Sequence, residues 1–146
     1  MVVTLAAVAA GQLGAQVNVR GVRGLTFGTV VPGIPSQILR TDPLNSGQFE
    51  IQGPRFWLIR LTFILPAVLN GPAGATLPLS FATNDAGYSF NNTIGNQIAF
   101  NPHQPYTTII LFGGRSGVFL GGTASPAAGQ RAGAYTGTVV LTVVVL

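Results

Sequence analysis

The chain has 146 residues, of which only ten are charged: seven Arg and three acids, with no Lys and no Cys. An ordinary soluble domain carries about 25% charged residues; this one carries 7%, against 47% hydrophobic, which excludes a disordered tail, while its scattered Arg side chains exclude the clustered cations of a nucleic-acid binder. Without Cys there are no disulfides, thiolate metal sites or thiol nucleophiles, and so little charge points to a surface buried against other copies of the chain.

Residues 1–24 read as an N-terminal segment distinct from the body. Met1 to Val19 carry no charge, and Val2–Ala10, the one Ala-rich stretch with a helical tendency, resembles the apolar region of a secretory signal. Ala7-Val8-Ala9 and Leu13-Gly14-Ala15 are small-x-small cleavage candidates, with no positively charged leader before them. The stretch is therefore either a signal remnant or part of the mature protein.

From Gly11 to Arg20 apolar and polar positions alternate strictly. Leu13, Ala15, Val17 and Val19 fall on one face, and Gln12, Gln16, Asn18 and Arg20 on the other. That is a strand with one buried face, followed by the joint Gly21-Val22-Arg23-Gly24. Two readings stand side by side: an ordinary first strand of its own sandwich, or a donor strand near 11–20 that leaves its domain to complete the sheet of another copy.

The body, residues 25–146, shows short strands bounded by Gly, Pro, Asn and Ser, near Leu25–Val31, Ser36–Arg40, Gln48–Gln52, Phe56–Leu65, Ala75–Ala82, Gln97–Phe100, Thr107–Phe112, Gly117–Gly121 and Tyr135–Val145. The pattern predicts an all-β antiparallel sandwich. Phe56–Leu65 is apolar on both faces, so one side fits the core and the other needs a cover. The last strand is rich in Val, and beside an unfilled sheet position it exposes an edge that only a partner strand can satisfy. Tyr135, Val139, Leu141, Val143 and Val145 form that predicted acceptor edge, with Leu13, Ala15, Val17 and Val19 of the donor filling the groove. No apolar run reaches the length of a transmembrane helix.

The segments Leu25-Thr26-Phe27-Gly28-Thr29-Val30-Val31-Pro32, Leu61-Thr62-Phe63-Ile64-Leu65-Pro66 and Leu77-Pro78-Leu79-Ser80-Phe81 look like the opening and central strands of small bacterial pilin-like domains. Gly121-Gly122-Thr123, followed by Ala132-Gly133-Ala134-Tyr135-Thr136-Gly137-Thr138-Val139-Val140-Leu141-Thr142-Val143, resembles the ending of the spore coat protein U-like family and the related archaic chaperone–usher pilins. The resemblance runs from about Val17 to Val145, and it departs from the pattern in having no Cys and in ending Val144-Val145-Leu146. It implies an incomplete immunoglobulin-like sandwich polymerised by donor-strand exchange into a pilus, or fimbrium. It further implies passage through the periplasm with a chaperone and an outer-membrane usher as partners, and an extracellular or cell-surface filament as the product.

Catalytic chemistry is sparse. His103 is the single His and sits in a Pro-bounded loop, while Asp42, Glu50 and Asp85 are far apart in sequence, so neither an acid–base constellation nor a paired-carboxylate site is expected. No cofactor or metal is expected; Asn84-Asp85 with Asn91-Asn92 is the one weak calcium candidate. Gly113-Gly114 and Gly121-Gly122 read as turns. The stretch from Ser80 to Tyr88, with Tyr106, offers a candidate sugar surface, and Asn91-Asn92-Thr93 matches a glycosylation acceptor. The leading expectation is a non-enzymatic filament subunit that forms a homopolymer and serves cell adhesion. The alternatives are a surface adhesin or glycan-binding sandwich and, more weakly, a small outer-membrane barrel.

Overall fold

The computed structural model describes residues 2–10, 17–111 and 114–146. Fourteen strands are assigned among them. In chain order they are β1 Val2–Ala10, β2 Asn18–Arg23, β3 Leu25–Thr29, β4 Ser36–Ile38, β5 Gly47–Gln52, β6 Leu58–Ile64 and β7 Val68–Asn70. A short 3-10 turn at Pro72–Gly74 follows, then β8 Thr76–Ser80, β9 Ala86–Ser89, β10 Ile98–Phe100, β11 Tyr106–Ile109, β12 Arg115–Leu120, β13 Gly122–Ala124 and β14 Ala134–Val145.

The strands make two sheets. The smaller has the order β10-β9-β12-β5-β2; the larger runs β11-β6-β14-β7-β8-β13-β4, with β1 paired to β14 and to β3. Every pairing is antiparallel except β1 with β14, which is parallel. This is an all-β, two-sheet sandwich with an arrangement consistent with immunoglobulin-like layering. The nine body strands expected from sequence all appear: six are one to three residues shorter than expected, while β5, β12 and β14 are one residue longer. Three more, β7, β9 and β13, lie in segments rich in turn residues, where three or four residues are too few to show a period.

The core lies between the sheets because period-two strands present their apolar residues to it. Phe49, Ile51 and Val118 come from the smaller sheet, and Ile59, Leu61, Leu141 and Val143 from the larger. Aromatic rings join the layers: Phe49 meets Phe63 edge-on at 6.0 Å, Phe63 stacks on Phe100, and Phe100 stacks on Tyr106 at 4.3 Å. Tyr88 is fully buried. Its hydroxyl donates to the Ile109 carbonyl (3.1 Å) and lies 2.7 Å from the Ser116 hydroxyl, and desolvation raises its pKa.

The outer face of β6 is partly exposed among the described residues. Leu58 is 50% exposed and Ile64 62%, and Val140, which pairs with Ile64 on β14, is half-buried. The sequence expectation that the second face of this strand needs a cover thus meets two exposed apolar side chains, Leu58 and Ile64, with Arg60 and Thr62 between them.

The β4–β5 connection is held by Asp42. Its carboxylate accepts the backbone N–H groups of Leu44 and Asn45, each at 2.9 Å, and the Asn45 side-chain amide at 3.1 Å. These bonds, the Leu44 N–H foremost, lower its pKa. A carboxylate whose folded pKa is depressed contributes stability above the unfolded value of about 3.9, and that contribution is lost as pH falls through the lower folded value. Asp42→Ala is therefore expected to lower the melting temperature at pH 7 and to converge on the parent as pH falls through the lowered folded pKa. Thermal unfolding followed by circular dichroism across this range checks it; a gap independent of pH would contradict it.

Candidate functional site: the strand slot beside β14

The chain's last strand has two edges. On one, Val140–Val145 pairs with β6, and Thr136 with Asn70 of β7. On the other, Ala134–Thr142 pairs with all nine residues of β1, from Val2 opposite Ala134 to Ala10 opposite Thr142. The far side of β1 pairs with β3, Val2 opposite Thr29 through Leu5 opposite Leu25, with a bulge between Val3 and Thr4. So β1 fills a slot between β14 and β3. Val3 is 0% exposed and belongs to the common core, while Thr4 faces solvent. Were β1 withdrawn, the backbone edges of β14 and β3 would lose their partners, which inside a sheet is costly.

The start of β14 is locked independently of β1. The Tyr135 hydroxyl donates to the Arg131 carbonyl four residues upstream (2.7 Å) and accepts from Gln130 Nε2 (2.8 Å). The same Gln130 amide also donates to the Thr76 carbonyl. The Tyr135 ring lies directly on Gly71, where a Cβ would collide with it. A Tyr tied back to its own backbone is the device of the tyrosine corner in immunoglobulin-like sandwiches, and here it fixes the strand that the slot depends on.

The predicted site residues divide. Tyr135, Val139, Leu141 and Val143 are buried and Val145 packs against the core. The first three lie in the register of β1, whereas Val143 and Val145 pair with β6. Leu13 and Ala15 lie outside the described residues. Val17 and Val19 do not lie beside β14: Val17 is buried just before β2, and Val19 on β2 pairs with Ile51 of β5 in the smaller sheet. The physical reason is that alternation specifies a buried face without saying which sheet provides it. Residues 18–23 satisfy their face within their own chain, and the strand that reaches β14 is the one before them.

The remaining candidates prove structural. His103 Nε2 lies 2.7 Å from the Phe81 carbonyl and ties down its loop. Asp85 accepts the Ala82 N–H, and Arg40 donates to the Asn84 carbonyl, which puts a cation where the calcium candidate was. No group of three or more His, Cys, Asp or Glu side chains converges among the described residues. Of the candidate sugar surface, Tyr88 is in the core and Tyr106 is stacked on Phe100. Compared with known proteins, the sequence matches no family model and no curated protein.

Val3→Asp is expected to cost about 3–5 kcal/mol, the lost burial of a Val plus the desolvation of a polar group, whereas Thr4→Asp next to it should change stability by about 0.5 kcal/mol or less. Urea denaturation of the two variants measures the difference; equal effects would mean that β1 is not docked. Tyr135→Phe should cost about 0.5–1.5 kcal/mol in the same assay.

Proposed function

We propose that this chain is the structural subunit of an extracellular filament, assembled head to tail by strand donation, and that the donated strand is Val2–Ala10. One observation carries the reading: the sandwich needs β1 beside β14, yet β1 is joined to the body only through residues 11–17. Seven residues reach at most about 23–25 Å, enough to cross from one sheet to the other. The same connection allows β1 to enter the slot of a neighbouring copy instead. Each copy then offers one strand and one slot on different parts of its surface. Such heterologous contacts do not close on themselves, so they grow fibres.

Three further features support the reading. β1 and Ala134–Thr142 contain no charged residue, so nothing opposes their burial together at a subunit junction. The exposed Leu58 and Ile64 give two further apolar contact points for neighbours in a fibre. The resemblance to archaic pilins supplies the setting, in which a periplasmic chaperone would hold the slot open and an outer-membrane usher would deliver the subunit to the cell surface. Cell adhesion is the role such a fibre would serve.

The test uses the full chain, a chain lacking residues 1–10, and a synthetic Val2–Ala10 peptide bearing a solubilising tail. Electron microscopy of the full chain should show fibres of repeating density. The shortened chain should form none and should bind the peptide one to one. Fibres from the shortened chain would overturn strand donation by β1.

A further inference from the structure

The sequence scatters its seven Arg residues, but the sandwich brings two of them to one of the three acids. Arg20 on β2 lies opposite Glu50 on β5 in register, and Arg115 on β12 lies opposite Gln52, one step along the same face. Arg20 Nη2 is 3.1 Å from Glu50 Oε1, and Arg115 Nη1 is 3.8 Å from Oε2. Glu50 is nearly inaccessible, with 5% of its side chain exposed, whereas the two Arg side chains are 69% and 62% exposed.

The carboxylate is fixed from below as well. Gln52 Nε2 donates to Oε1 and Asn92 Nδ2 to Oε2, each at 2.9 Å. Gln48 Nε2 in turn donates to Asn92 Oδ1 at 3.3 Å. Asn92 can reach in because the residue opposite Glu50 on β12 is Gly117: a Cβ there would stand 2.5 Å from Asn92 Oδ1. Glu50 is therefore an anchor whose oxygens are already committed, and each guanidinium gives it a single nitrogen. Both guanidiniums line an open depression of about 280 Å³, together with Asn18, Glu50 and Gln52.

We infer that this depression on the outer face of the smaller sheet binds the carboxylate of an acidic sugar, a uronate within a polysaccharide, between Arg20 and Arg115. Two guanidinium forks over one anchoring carboxylate leave a net positive site, and a planar carboxylate matches fork geometry in two-point contacts. Asn18 and Gln52 carry side-chain amides, each both donor and acceptor, which suits ring hydroxyls. The lining has no apolar anchor for a peptide side chain, which a protein partner requires. Nucleic acid needs a longer row of cations, and Arg23 and Arg40 are engaged with Ser46, Asn84 and Gln97. None of the lining residues lies on β1, β3 or β14, so the site is not part of the β14 slot.

The experiment titrates the full chain with oligogalacturonate by calorimetry at low salt, with neutral maltohexaose and polyglutamate as comparison ligands. Oligogalacturonate should bind and maltohexaose should not. Arg20→Gln and Arg115→Gln should each weaken binding about tenfold or more, while Arg60→Gln, an exposed cation on the other sheet, should leave it unchanged. Glu50→Gln raises the net charge yet removes the anchor, so it too should weaken binding; thermal unfolding confirms that each variant is folded. Tighter binding by Glu50→Gln, equal loss in Arg60→Gln, or equal affinity for polyglutamate would each overturn the assignment. So would the absence of oligogalacturonate binding by the parent chain.

Discussion

Everything in this sandwich turns on one unpaired strand edge. β14 is the longest strand among the described residues, its inward residues form the middle of the core, and β6 and β7 satisfy only one of its sides. A Val-rich strand with a bare edge is a template for further pairing, and a sheet with such a gap leaves Tyr135, Val139 and Leu141 without lateral cover. The slot must be filled by something extended and uncharged. In this chain β1 fills it, with Val3 completing the core and β3 closing the other side. Tyr135, bound back to Arg131, holds the acceptor strand in place whichever copy supplies the filler.

Much of this was legible in the sequence because β architecture writes itself in period two. The alternation of Phe56–Leu65 and Tyr135–Val145, punctuated by Gly and Pro, located both central strands of the larger sheet. The uncharged run from Met1 to Val19 also contains β1, the strand that lies beside β14. The identity of the filler was not legible. Gly11–Arg20 alternates more cleanly than Val2–Ala10, whose run of Ala residues blurs the difference between faces. Val17 is buried and Val19 half-buried while Asn18 and Arg20 are exposed, so the alternation belongs to the segment that leads into β2 at the edge of the smaller sheet. A strand held on both sides, as β1 is by β14 and β3, has less need of a polar face.

The same limit hid the polar cluster on the opposite layer. Arg20, Glu50 and Arg115 are separated by 30 and 65 residues in a sequence that has no charge pattern, and only the strand order β12-β5-β2 makes them neighbours. The two layers thus divide their roles. The larger sheet carries the uncharged slot and the exposed Leu58 and Ile64, which the proposed assembly would place between copies. The smaller sheet carries a committed carboxylate beneath two guanidiniums, a surface suited to a ligand. A shortage of charge over most of the molecule makes this cluster stand out.

The placement of β1 is tested most directly by a cross-link. Thr4 and Thr136 are register partners on β1 and β14, and both face solvent. Adjacent strands lie about 4.8 Å apart, within the range a disulfide spans, and the chain has no Cys to interfere. In the Thr4→Cys/Thr136→Cys double variant, mild oxidation should close the ring within the chain in the monomer fraction. In the fibre fraction it should give a ladder of covalently joined chains on a non-reducing gel. Free thiols in both fractions would contradict the occupation of the slot by β1.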